Sequence, residues 1–258
     1  MSRVTLAVFL LAVLIVTSGC IDRTAGNPGP PDTDAVIDNV ENADSATTTE
    51  TVTVTRFEEG SGSEYEWGHT RTANVVYDLE NEELLAVVER DWWDWNSDEL
   101  SEGEVWYKDG HGYTVYKENR SAEEQVYVKE LPWENVSAEY IDSTALLSVI
   151  DDTDPEQDGD TYIYTANPDD QETRDEILDT LGGAAEFDLN KNQHEIGEIE
   201  SLSAEIGITD GYITHATVEL NATTKSFGTT NITVHVEYEE YNEPVQVEVP
   251  ETILNEAE

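Results

Sequence analysis

The chain has 258 residues and a formal net charge of −46, from 58 Asp and Glu against 12 Lys and Arg. The acids are spread over every segment and no basic patch is visible, which argues against nucleic acid as a partner. A single cysteine, Cys20, excludes an intramolecular disulfide and a cysteine-based metal cluster.

Such self-repulsion would loosen a compact domain in dilute buffer. At 1 M salt the Debye length falls to about 3 Å and screens it, so the balance is that of a protein working in very salty water.

In chain order, Arg3 precedes an unbroken stretch rich in Val, Leu, Ala and Phe from Val4 to Val16. As a helix it reaches roughly 20 Å against a hydrocarbon core of about 30 Å, too short to span and right for a signal segment. Thr17, Ser18 and Gly19 then lead to Cys20, and "VTSGC" resembles the lipobox of prokaryotic lipoproteins. The resemblance implies a lipid on Cys20, which with two chains is a stable tether. The expected division is a signal peptide at 1–19, a lipidated Cys20 with a flexible tether at 20–50, and a folded body at 51–258. The expected location is the outer face of the cell membrane, held by the lipid. "GNPGPPDTD" and "NADSATTTET" are short of large apolar residues, as a tether should be, with room for a short helix around 34–42.

Beyond the tether the apolar period is mainly two. Tyr65, Trp67, Val75 and Tyr77, then Leu85, Val87 and Val88, then Val105, Tyr107, Tyr113, Val115, Val126 and Val128 mark short strands. Turn signals at Gly60 to Gly62, at Asn81 with Glu82, and at Asp109 with Gly110 separate them into a meander. Helical spacing appears at 139–150 and again at 169–181, where acids open the run and Gly182 with Gly183 close it. Between the two, 160–167 alternates as a strand. After about Glu195 long alternations return: Leu202, Ala204, Ile206 and Ile208; then Tyr212 to Leu220 after Asp210 and Gly211; then Ile232 to Tyr238. The expectation is an α+β fold of nine to eleven strands and two or three helices, with one large curved antiparallel sheet forming an incomplete barrel under helical cover.

The densest aromatic cluster is Trp92, Trp93 and Trp95, followed by Trp106, Tyr107, Tyr113, Tyr116, Tyr127 and Trp133. It reads as a pocket wall, as packing on both faces of a covered sheet, or as an exposed partner or glycan contact. The segment 140–150 presents Ile141, Leu146, Leu147 and Ile150, a lid or a static packing element. "DDTDPEQDGD" at 151–160 begins like a calcium loop, but Thr165 stands where the bidentate Glu is needed and Pro155 is out of place. The five histidines are scattered, "HEIGE" at His194 lacks a second His, and no GxSxG, Walker or GxGxxG motif occurs. Neither catalytic residues, a metal site nor a cofactor is expected. N-x-[ST] sequons mark Asn119, Asn135, Asn221 and Asn231 as candidate glycosylation sites.

The order "NVVYDLENEELLAVVE", "VWYKDGHGYTVYK", a helix, "DTYIYTANPDDQETRDEILDTL", two long strands and the ending "YNEPVQVEVPE" resembles the lipoprotein carriers LolA and LolB and the mycobacterial LppX and LprG lipoproteins. It is similar as well to haloarchaeal lipoproteins with that ending, over roughly residues 51–258. The resemblance implies a half-barrel that holds acyl chains or another hydrophobic ligand without chemistry, walled here by Trp93, Trp95, Trp106, Tyr113, Ile141, Leu146 and Leu147. No counterpart of the loops and cavity basic residue of LolA and LolB is identifiable. The alternative is a surface structural or interaction protein with a filled interior.

Overall fold

Period-two alternation of apolar with Thr, Glu and Ser residues builds long strands with one wet face, and in the computed structural model the described residues form one antiparallel sheet of eleven strands, long and short. The structure describes residues 29–60, 63–93, 98–118, 125–130, 133, 142–181, 196–224 and 228–256. The strands are β1 Ser45–Gly60, β2 Ser63–Asp78, β3 Glu83–Trp93, β4 Asp98–Lys108, β5 His111–Glu118, β6 Gln125–Glu130, β7 Glu156–Asp158, β8 Thr161–Ala166, β9 Ile196–Thr209, β10 Tyr212–Thr224 and β11 Gly228–Tyr241. Their spatial order is β6-β5-β4-β3-β2-β1-β11-β10-β9-β8-β7. The sheet stays open, with β6 and β7 at its edges, so the chain is an α+β half-barrel.

Two meanders therefore meet at one seam, where β1 pairs with β11 from Ala46 opposite Tyr241 to Phe57 opposite Thr229. Within each meander the expected turns close the hairpins. Asp109 and Gly110 have φ of 53° and 77°, and Asp210 and Gly211 have 53° and 82°, the left-handed pairs that a two-residue hairpin requires.

The body begins earlier than the expected boundary at residue 51. Helix α1, Thr33–Glu41, and the first residues of β1 belong to the fold. Threonine-rich sequence is sufficient for β1 because it is hydrogen-bonded on both sides, by β2 and β11, and its inward positions need only small residues such as Val52 and Val54. Val36 of α1 is 1% exposed, which a tether residue could not be.

Residues opposed in the ladders share a face, so even positions of β1 align with odd positions of β2 and even positions of β11. This inner face carries the helices. Besides α1 these are α2, Ser143–Ile150, and α3, Gln171–Thr180. Each starts on an aspartate cap: Asp142 accepts from the Ala145 N–H at 2.9 Å, and Asp170 accepts from the Thr173 N–H at 2.9 Å. The backbone N–H of Thr173 also holds the Asp170 carboxyl below its usual pKa. The backbone N–H of Asp142 donates to Thr180 O at 2.9 Å and ties α2 to the end of α3. Residues 139–141, expected as the first turn of α2, lie outside the described residues.

Val36, Leu146, Leu147, Ile150 and Ile177 close over Ile206, Val218 and Val234 in a single apolar core. A second cluster on the same sheet, Ala73, Val75, Leu84, Ala86 and Tyr107, has Trp133 with its ring 5.3 Å from that of Tyr107. Between the two the inner face is polar. Glu50 pairs with Arg71, and the Arg56 guanidinium lies 4.6 Å over the Trp67 ring. Burying such charges is tolerable only because they meet one another.

Candidate functional site

The chain leaves β11 through Asn242, whose φ of 59° is left-handed. Its side-chain Oδ1 accepts from the Asp44 N–H at 2.8 Å, its own N–H donates to Ser45 O at 3.0 Å, and the Ser45 hydroxyl donates to Glu243 O at 2.6 Å. This turn directs the ending "EPVQVEVPE" onto the other, outer face of β3–β6. There Val247, buried at 0% exposure, and Ile253 of the short helix α4, Glu251–Glu256, pack on Trp106. Lys108 clamps the strap, donating from Nζ to Val247 O at 2.8 Å and to Glu83 Oε2 at 3.0 Å. The Glu83 carboxylate beside it raises the ammonium pKa above its usual value.

The strap does not seal the sheet. Between α4 and β3–β6 an open groove of about 400 Å³ has Val87, Val115 and Val126 on its floor, with Glu104 between Val87 and Val115 in the ladder, and a wall of Pro250 and Ile253. A second hollow of about 300 Å³ lies by Tyr113, Val249 and Leu254. Val87 of the first and Leu254 of the second are exposed, as is Val128 on the same face. The rim is anionic too: Glu89 and Glu102 line the first groove and stand directly opposite each other in the ladder. Like charges so placed repel, so the rim favours a cation or a neutral group and disfavours an anion.

The expected ligand wall is divided by the sheet. Trp106 and Tyr113 lie with the strap on the outer face, whereas Leu146 and Leu147 are filled-core residues on the inner face. Strand register causes this, because Trp106 is opposed to Leu85 and Tyr113, and Tyr107 takes the inward position. Trp93 is paired with Gly68 and Asp98. Trp95, Ile141, Cys20, Asn119 and Asn135 lie outside the described residues. Asn221 and Asn231 oppose each other directly on β10 and β11. The acidic stretch that begins like a calcium loop is a hairpin, with Asp158 opposite Thr161 and Gly159 at φ 62°.

The groove residues Val87, Val115, Val126 and Ile253 had no separate signal in the sequence. The alternating Val245, Val247 and Val249 of the ending was the available hint, since a C-terminal run of that kind must lie against something apolar. Among the described residues no three His, Cys, Asp or Glu side chains already stand in a metal-holding arrangement.

No family model matches the chain. No curated protein matches it either. Among solved structures, a DUF1329 family protein from Desulfovibrio piger aligns at 6% identity and a TM-score of 0.26, over 84% of this chain and 93% of that one. A β-barrel-like protein of the domain of unknown function DUF1849 from Brucella abortus aligns at 9% identity and a TM-score of 0.25, over 78% of this chain and 98% of that one. Likeness at this level extends to neither ligand nor activity.

Proposed function

We propose that the chain is an exported protein, lipid-anchored through Cys20 to the outer face of the membrane, that binds an apolar or amphiphilic molecule without chemistry. The observation that carries the binding reading is the groove of about 400 Å³ under the C-terminal strap, open at its mouth and lined by Val87, Val115, Val126 and Ile253 together with glutamates. Its size is that of a small-molecule site. About ten methylenes buried there would contribute roughly 8 kcal/mol at ~0.8 kcal/mol each, enough to exceed the lower estimates of association cost. The glutamate rim selects a neutral or cationic head group. The lipobox motif supports the anchor, and the charge of −46 supports a salty exterior.

The filled core beneath α1, α2 and α3 favours a second reading, an interaction protein with no ligand. Native mass spectrometry with solvent extraction separates the two. The protein should be produced from residue 20 onward with Cys20→Ser, in a high-salt host, so that α1 and β1 stay intact. A stoichiometric apolar molecule, lost in Val87→Glu, supports the groove. An empty mass for the parent protein overturns the groove reading and leaves the interaction reading.

A further inference from the structure

We propose that Glu104 makes the strap groove selective for a cationic amphiphile, an ammonium group carrying an apolar chain. This names the ligand class of the groove described above and rests on that binding reading.

Strand register sets what the groove offers. Four outer-face residues lie in one row across the sheet, with Val87 opposite Glu104, Glu104 opposite Val115, and Val115 opposite Val126. At about 4.8 Å between strands the row is roughly 14 Å long, and its one acid stands in second place. The adjacent row, Leu85, Trp106, Tyr113 and Val128, is apolar throughout. The strap lies on that apolar row, with Val247 and Ile253 against Trp106, while the row of Glu104 lines the open groove.

The strap is itself an apolar occupant, and where it passes an acid a base answers. Lys108 donates to Glu83 Oε2 at 3.0 Å and to Val247 O at 2.8 Å. Glu104 has no such neighbour on its face. Val87 and Val115 stand beside it in the ladder, Glu102 and Trp106 precede and follow it along β4, and the closest base in the register, Lys117, is diagonal to it and opposite Glu102. Among the described residues no basic side chain lines the groove.

A neutral chain laid along this row takes water from the Glu104 carboxylate and returns nothing, the costly case of covering a charge without a partner. An ammonium at the same place supplies the partner, and its chain then runs over Val115 and Val126 beside Ile253. Glu89 and Glu102, in the row on the other side, act in the same sense. At roughly 30 Å³ per heavy atom, the share of a water molecule in the liquid, the 400 Å³ holds about 13 heavy atoms, an alkylamine of about ten to twelve carbons.

The test uses the mature chain from residue 20 onward with Cys20→Ser, in about 1 M salt, where the screening length of about 3 Å leaves only charges in contact to discriminate. Isothermal titration calorimetry compares decylammonium with decanol, which match in chain and heavy-atom count and differ in charge. The expected result is decylammonium bound about tenfold or more tightly, the advantage falling to within about threefold in Glu104→Gln. Glu104 is exposed, so the variant should keep the circular dichroism of the parent. Decanol bound as tightly as decylammonium leaves the groove standing and overturns its selectivity. Binding of neither overturns the groove itself. Methylammonium bound as tightly as decylammonium marks an acidic surface that reads no chain, and a preference that persists in Glu104→Gln takes the role from Glu104; either result overturns the proposal.

Discussion

Val36 distinguishes a docked helix from a tether, because the two assign it opposite environments. In the structure it is 1% exposed and packed in the core beneath α1, with Ile37 and Val40 partly buried beside it. Val36→Ala removes two methyl groups and leaves a small cavity, a loss of about 1.5–2.5 kcal/mol. Val36→Asp places an unpaired carboxylate in the core, so α1 undocks instead. The cost is then bounded by the burial of Val36, Ile37 and Val40, about 4 kcal/mol. The neighbour Ala35 is exposed, so Ala35→Asp should stay within about 0.5 kcal/mol of the parent. Urea unfolding followed by tryptophan fluorescence, at constant high salt, reads these differences. With a slope of about 2–3 kcal/mol/M, Val36→Ala lowers the midpoint by roughly 0.5–1 M and Val36→Asp by more than 1 M. Equal midpoints for Val36→Asp and Ala35→Asp would refute the docked helix and restore a tether that runs up to β1.

Three other outcomes are expected. Burial pushes the Tyr238 hydroxyl up to about 12 from an ordinary 10.0. A raised tyrosine pKa gives stability that is complete below pH 10 and lost as pH rises towards 12, and burial of Tyr241 acts with the same sign. Tyr238→Phe should therefore flatten the alkaline fall of the urea midpoint. Asn221 and Asn231 are direct ladder partners, with Cβ atoms about 5 Å apart, so glycopeptide mass spectrometry in a glycosylating host should find at most one occupied per molecule. Two glycans on one molecule would contradict the register. Circular dichroism should show loss of structure below a few tenths molar salt, about where the Debye length exceeds 5 Å. Full structure in dilute buffer would sink the reading of the acidic surface.

Much of the sheet was legible, because hairpins report themselves locally: Asp109-Gly110 and Asp210-Gly211 are turn sequences with alternation on either side. Helix α3 was legible too, from the acids that open it and the glycines that follow it in the sequence. β1 was not, since "TTTETVTVT" owes its strand to two partners far away in the chain. Among the described candidates, Trp106 and Tyr113 stand apart from Leu146 and Leu147 for a related reason. Trp106 and Tyr107 are adjacent in sequence, and which one enters the core depends on pairing with β3, information that composition and period do not contain. Only the C-terminal strap, whose valines cover Trp106, turned the outer face into a place where a ligand could lie.

The seam between β1 and β11 also bears on how the molecule is made. Ala46 finds Tyr241 only after the residues between them have been synthesised, so this ladder has very high sequence separation and forms slowly. Until then each meander holds a bare hydrogen-bonding edge that invites pairing with another chain. The last strand to emerge then joins the two halves into one sheet.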